Sequence, residues 1–166
     1  MSGRRPLVAA NWKMNGTLSS IRTLLAGIRA GTAAELRAEV AICPPFVYLD
    51  EVGRSLEGTG LALGAQNLAS HDAGAYTGEV SGAMLNDLHC RYVIVGHSER
   101  RTLYGETDTV VAEKLMRALA HGLTPILCIG EQLEEREAGD TENVLARQLD
   151  TVIDKAGIGA FASARS

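Results

Sequence analysis

Five short apolar stretches recur along the chain, at Leu7 to Ala10, Val40 to Cys43, Leu61 to Ala65, Tyr92 to Gly96 and Pro125 to Gly130. None shows the polar-apolar alternation of a strand with one wet face. Continuous apolar runs of this length are what strands look like when both faces are buried, as in a parallel sheet covered by helices. Between them lie segments with helical spacing: Leu18, Ile21, Leu25 and Ile28; Leu49, Val52 and Leu56; Val111, Leu115 and Leu119; Leu145, Leu149 and Val152. Each lays one apolar stripe along a helix face. Thr17 or Ser19, Thr107 or Asp108, and Thr141 stand where N-caps belong. The order is strand-helix repeated, with spacings that permit crossovers between parallel strands. Periodicity leaves open whether the sheet is doubly wound or part of a barrel.

Composition narrows the class. At 166 residues, 46% hydrophobic and 22% charged, the chain reads as one globular domain. A net charge of −4 disfavours nucleic acid or an anionic membrane as the main partner, because both demand a positive field. Eighteen glycines against 4% aromatics suit many tight strand-to-helix turns around an aliphatic core. Cys43, Cys90 and Cys128 are odd in number and widely spaced, so buried reduced thiols are expected and no metal-ligand spacing emerges. The apolar stretch after Arg4 and Arg5 is too short for a signal-peptide core, and no run has membrane-spanning length. A cytoplasmic location is the resulting expectation. The two familiar nucleotide signatures, Gly-x-Gly-x-x-Gly and Gly-x-x-x-x-Gly-Lys-Ser/Thr, do not occur.

One stretch breaks the rhythm. Residues 66–81 are long, polar and glycine-containing, with Gly74 and Gly78 placed to permit positive φ. A loop of that length is expected to be functional or an interface arm. The charged run Glu131 to Glu137 reads as a solvated helix face.

In parallel α/β architectures chemistry gathers at the carboxyl ends of strands, where loops converge and helix N-termini aim N–H groups inward. The first strand ends in Asn11-Trp12-Lys13-Met14-Asn15-Gly16, and the fourth in Gly96-His97-Ser98-Glu99-Arg100-Arg101. An ammonium beside an imidazole suits an anionic substrate whose carbonyl must be polarised. Each residue has a plainer reading: a solvated Lys13, a structural His97, a local ion pair of Glu99 with Arg100 or Arg101. Gly96 to Arg100 also half-matches the nucleophile elbow Gly-x-Ser-x-Gly, but Arg100 replaces the second glycine, which leaves Ser98 a poor hydrolase nucleophile.

The motifs Asn11 to Asn15, Ala65-Gln66-Asn67, Gly74 to Ser81, Tyr92 to Arg101 and Pro125 to Glu131 resemble triose-phosphate isomerases, in order and at family spacing. The resemblance implies an α/β fold of the parallel (β/α)8 TIM-barrel type, with about the first five β/α units in residues 1–155 and a small-residue tail, 156–166, without a counterpart. It implies interconversion of glyceraldehyde 3-phosphate and dihydroxyacetone phosphate through an enediolate, in glycolysis and gluconeogenesis, with no cofactor and no metal. Lys13 and His97 would be catalytic, with Asn11 and Lys13 holding the substrate. His97 would act as a neutral hydrogen-bond donor, favoured by the helix N-terminus expected after Ser98. Glu99 and Ser98 would support them. Thr77, with Met14, would sit in a homodimer interface formed through loop 66–81. The family's catalytic glutamate, closing lid and later glycine-rich phosphate loops have no counterpart in these 166 residues. The chain alone is therefore expected to be inactive. The alternative is a non-catalytic fragment that serves only in association or in weak binding of phosphate ligands.

Overall fold

A computed structural model of the chain describes residues 5–32 and 37–163. Met1 to Arg4, which carry the start of the signal-peptide question, and the last three residues of the 156–166 tail lie outside the described residues. Five strands, β1 (Leu7–Asn11), β2 (Glu39–Cys43), β3 (Ala62–Ala65), β4 (Tyr92–Val95) and β5 (Thr124–Leu127), form one sheet in the order β1-β2-β3-β4-β5. Every neighbouring pair is parallel. The helices are α1 (Leu18–Gly31), α2 (Leu49–Leu56), α3 (Gly82–Asp87), α4 (Ser98–Tyr104), α5 (Asp108–Ala120), α6 (Leu133–Glu137), α7 (Thr141–Ala156) and α8 (Ala160–Ser163).

The period-two geometry of the strands sorts their side chains into two cores. On one face Ile42, Leu63, Ala65, Val93, Val95 and Leu127 join Ile21 and Leu25 of α1, Val52 and Leu56 of α2, Val111 and Leu115 of α5 and Val152 of α7. On the other, Ala41, Cys43, Tyr92 and Ile94 pack with Leu7, Ala62, Ile126 and Cys128, all on or just beyond strands. Helices thus cover one face only, and the strand order never reverses. A doubly wound sheet would have a reversal and helices on both sides. The sheet is instead a curled half-barrel, which decides between the two arrangements that periodicity left open.

The apolar runs do not all behave as interior strands. β1 and β5 border the sheet: Val8 of β1 is 54% exposed and Thr124 and Ile126 of β5 are only half-buried, so burial on both faces is complete at the central β4 and fails at the edges. The expected caps hold at two helices. Thr17 and Ser20 form a reciprocal capping box at α1, and Thr107 Oγ1 accepts from Val110 N at 3.3 Å. At α7 the N-cap is Asp140, and Thr141 is the first helical residue. The buried stripe of α7 is also rotated by one residue, to Val144, Gln148 and Val152, with Leu145 and Leu149 only half-buried. The cause is long-range: the Gln148 amide pairs with both backbone groups of Gly130, each at 2.9 Å. Ala160 of α8 is buried against the helix-side core. Cys43 and Cys90 are free thiols whose pKa burial pushes up to about 12, so both stay protonated. Among the described residues no helix is long and apolar enough to cross a membrane.

The inner face includes Tyr92, whose Cβ leaves no room for a side chain at Gly64. A Cβ on Gly64 would meet Cys43 Sγ at 2.6 Å and Tyr92 Cβ at 3.3 Å. Both neighbours are essentially solvent-free, and both sit on adjacent strands that cannot slide apart without breaking their ladders. Gly64→Ala should therefore lower stability by about 1–3 kcal/mol, although alanine is the better strand residue. Urea unfolding checks this; a midpoint equal to or above that of the parent chain would show that Tyr92 and the Cys43 thiol move aside at no cost.

Candidate active site

β1 carries Asn11 to the rim in register with Cys43 of β2. Trp12 N extends the ladder by one bond, to Cys43 O at 3.1 Å, and the chain then turns sharply. Lys13 lies at φ 52°, a left-handed conformation that costs a residue with a Cβ on the order of 1–2 kcal/mol. Three hydrogen bonds hold it there. Lys13 N donates to Asn11 Oδ1 at 3.0 Å, Asn15 Nδ2 donates to Trp12 O at 3.0 Å, and Gln66 Nε2 donates to Lys13 O at 2.9 Å. Gln66 Nε2 also reaches Cys43 O at 2.8 Å, so one amide at the end of β3 pins the turns after β1 and β2 together. Gln66 was visible in the sequence only as part of the Ala65-Gln66-Asn67 motif; nothing local marks its amide as a clamp.

β4 leads into the second half of the site through Gly96, at φ 71°. A Cβ there would lie 2.8 Å from Val111 Cγ1 and 3.1 Å from Cys128 O, so both conformation and space require glycine. His97 is the N-cap of α4, which begins at Ser98, one residue earlier than expected. Its Nδ1 accepts from the backbone N–H of Glu99 at 3.3 Å. Glu99 Oε2 stands 3.6 Å from the same nitrogen, beyond hydrogen-bond range. The backbone donor therefore claims the Nδ1 lone pair, and the ring is assigned the tautomer with its proton on Nε2.

The two halves meet in one ion pair. Lys13 Nζ lies 2.7 Å from Glu99 Oε1, with the side chains 52% and 45% exposed. The hydrogen bond from Lys13 holds the Glu99 carboxyl below the usual range, so that carboxyl is ionised at neutral pH. Glu99 thus pairs with neither Arg100 nor Arg101. Arg100 turns to Glu106, and Arg101 donates from Nε to Gly96 O at 2.8 Å and from Nη2 to Cys128 O at 3.3 Å while pairing with Asp108. Both guanidinium groups serve the scaffold and leave Lys13 as the rim cation. Glu131, expected on a solvated face, is only 10% exposed at its side chain, and its own backbone N–H and Arg136 hold its carboxyl low.

Structure brings Asn11, Lys13, His97 and Glu99 together, with Ser98 exposed beside them. Met14 is 93% exposed. Thr77 is at the exposed tip of loop 66–81. That loop is well braced: Ala69 N bonds Val80 O at 2.8 Å, His71 stacks on Tyr76 with centroids 4.1 Å apart, and Asp72 pairs with both Arg117 and His121 of the α5 region. Gly74 and Gly78 have φ of 128° and 93°, as their placement suggested.

Sequentially ordered parallel strands, helices on one face and polar groups converging at the carboxyl ends define part of a β/α barrel with its site on that rim. The family model described as triosephosphate isomerase matches residues 6–164. Curated relatives of that name include one from Nitrosococcus oceani, 54% identical over 97% of this chain, and one from Thiobacillus denitrificans, 56% identical over the same share. A Shewanella oneidensis relative is 53% identical over 99% of the chain. The chain belongs to the triosephosphate isomerase family. It spans less than two thirds of these relatives' length, 64% of the first two and 65% of the third.

The site geometry makes a spectroscopic prediction. With Nδ1 accepting from Glu99 N, the neutral ring of ¹⁵N-labelled His97 should carry its proton on Nε2. A neutral ring with its proton on Nδ1 would contradict the assigned geometry.

Proposed function

We propose that this chain supplies the electrophilic half of a triose-phosphate isomerase site. The observation that carries the reading is the arrangement at the rim: an imidazole tied at Nδ1, free to donate from Nε2, beside an ammonium whose carboxylate partner is half-exposed. In this reading Lys13 and Asn11 hold the anionic substrate, and Lys13 offsets charge that develops on the enediolate oxygens. His97 donates a hydrogen bond from Nε2 to the carbonyl and passes protons between the two substrate oxygens. A neutral donor matches the acidity of an enediol better than an imidazolium would, because proton transfer is fastest between groups of similar pKa. Glu99 and Ser98 support that geometry. The reaction moves protons only, between glyceraldehyde 3-phosphate and dihydroxyacetone phosphate, and calls for no cofactor.

Among the described residues, the base that removes the proton α to the carbonyl has no candidate at this rim. Glu99 is held by Lys13, and Glu106 and Glu131 are committed to Arg100 with Lys114 and to Arg136. A general base is worth on the order of 10² to 10⁴ in rate. The 166-residue polypeptide assayed by itself should therefore show little isomerase activity in a coupled assay with glyceraldehyde 3-phosphate. Activity should appear on mixing with the remaining carboxyl-terminal third of the Nitrosococcus oceani relative, expressed separately. Family-level rates from the chain alone would overturn this half-site reading. No activity in a mixture shown to associate would favour a role in association or weak phosphate binding only.

Association between copies belongs to the same reading. Loop 66–81 projects an exposed tip around Thr77 from a braced base, and Met14, Val47, Leu103 and Tyr104 are exposed apolar residues, from 69% to 93%. We place Thr77 and Met14 in a homodimer contact. Thr77→Arg should weaken self-association in equilibrium sedimentation, because a guanidinium would be buried there without a partner. Lys13→Ala should leave association unchanged. Equal association of Thr77→Arg and parent would remove the loop from the contact.

A further inference from the structure

A buried ion cluster joins α4, α5 and the base of loop 66–81. Glu106 Oε1 accepts from Arg100 Nε at 2.5 Å and from Lys114 Nζ at 2.6 Å, and Lys114 Nζ donates again to Asn67 Oδ1 at 2.7 Å. The Glu106 and Lys114 side chains are each 6% exposed, and Arg100 is 29% exposed. Glu106 Oε2 has no hydrogen-bond partner among the described residues, so both cations converge on a single oxygen. Burial alone would push the Glu106 carboxyl up, but the hydrogen bonds from Lys114 and Arg100 outweigh it, and the group stays ionised.

Such a cluster is a poor way to gain stability. Removing charged groups such as Glu106 and Lys114 from water costs several kcal/mol per ion, and apolar residues of similar volume generally do as well or better. Its distinctive property is direction, because each arm ends one residue from a site contact. Arg100 follows Glu99, and Arg100 N and Arg101 N both bond to His97 O, at 2.8 and 3.2 Å. Asn67 follows Gln66, whose amide fixes the left-handed turn of Lys13. From Glu106 one path runs through Arg100 to His97 and Glu99, and the other through Lys114, Asn67 and Gln66 to Lys13.

We infer that Glu106 is a positioning residue for the rim site: by holding Arg100 and the Lys114–Asn67 pair on one carboxylate oxygen, it sets the separation across which Lys13 meets Glu99 and His97 takes its tautomer. This rests on the catalytic reading given above for its consequence in rate, but its geometric part is testable without substrate. Two variants separate positioning from stability. Glu106→Gln keeps the shape and removes the charge. The double variant Glu106→Leu with Lys114→Met removes both buried charges together, and is expected to retain a cooperative urea transition even where the single change unfolds the chain.

In the folded variant the ¹⁵N signature of His97 should drift from the single Nε2–H form toward a mixture of tautomers. Hydrogen exchange at residues 97–101 and 66–68 should accelerate together, by at least about tenfold, while β2 and α1 are unchanged. In the mixture with the carboxyl-terminal segment, kcat should fall by about 10- to 100-fold with KM little altered, as for a misplaced catalytic group. A folded double variant with the parental His97 signature and parental exchange at both segments would overturn the inference. If the tautomer and exchange effects appear while the parent mixture has no isomerase activity, the positioning role stands and the catalytic reading fails.

Discussion

Because the strands run parallel, their carboxyl ends and the backbone groups left unpaired there all fall on one edge of the sheet, and the rest of the structure answers to that fact. Each chain leaving the edge must return to the helix face, where its helix has a core to join. The turns are made with little room. Gly96 is squeezed between Val111 and Cys128, and Lys13 takes a left-handed conformation without being glycine. A strained backbone persists only where its surroundings over-determine it. At Lys13 they do, through Asn11, Gln66 and the Asn15 amide. The strain fixes where the ammonium emerges, which a relaxed turn would not.

The interactions that assemble the site are weak as sources of stability. Lys13 and Glu99 are each about half-exposed, and ion pairs of that kind contribute roughly 0–1 kcal/mol. Stability comes instead from the two apolar cores, with Leu25, Leu49, Val52, Val93, Val95, Val111 and Leu115 essentially solvent-free. The rim groups are carried by this scaffold and do not hold it up. That division lets polar residues occupy strained, half-solvated positions at small cost to the whole. It also explains why Arg100 and Arg101 face inward: Arg101 satisfies the carbonyls of Gly96 and Cys128, which packing would otherwise orphan, and Arg100 adds a second cation to the Glu106 carboxylate.

Loop 66–81 shows how a long excursion can be ordered without secondary structure. Its base is closed by a backbone bond between Ala69 and Val80, and its flank is fastened to α5 by Asp72 through Arg117 and His121. A Cβ on Gly82, the first residue of α3, would lie 2.7 Å from the His121 ring, so the chain where the loop meets α3 packs against that ring only as glycine. The loop enters next to Gln66 and Asn67, the residues that touch the rim and the buried ion cluster. Site and loop are thereby mechanically adjacent at their roots, although Thr77 lies at the far exposed tip.

Much of this was written in local pattern. The apolar runs gave β1 to β4 within one residue and β5 with its end three residues too far, the stripes gave α1, α2, α5 and α7, and Thr17 and Thr107 announced their helices, because burial period and capping are properties of a few consecutive residues. Asn11, Lys13, His97 and Glu99 were legible as rim residues for the same reason: they follow strands, and parallel strands end on one edge. What local pattern could not contain is the choice of polar partner, near or far. Glu99 takes Lys13, 86 residues away, over the arginines beside it; Gln148 turns inward to Gly130; Glu131 withdraws from solvent to its backbone and Arg136; Glu106 gathers Arg100 and Lys114. The short α3 and the turn at Lys13 likewise lack a periodic signature. Those choices belong to the tertiary structure, because which polar groups meet depends on how strands are registered and helices are seated, and only then does desolvation decide which partner each buried charge must keep.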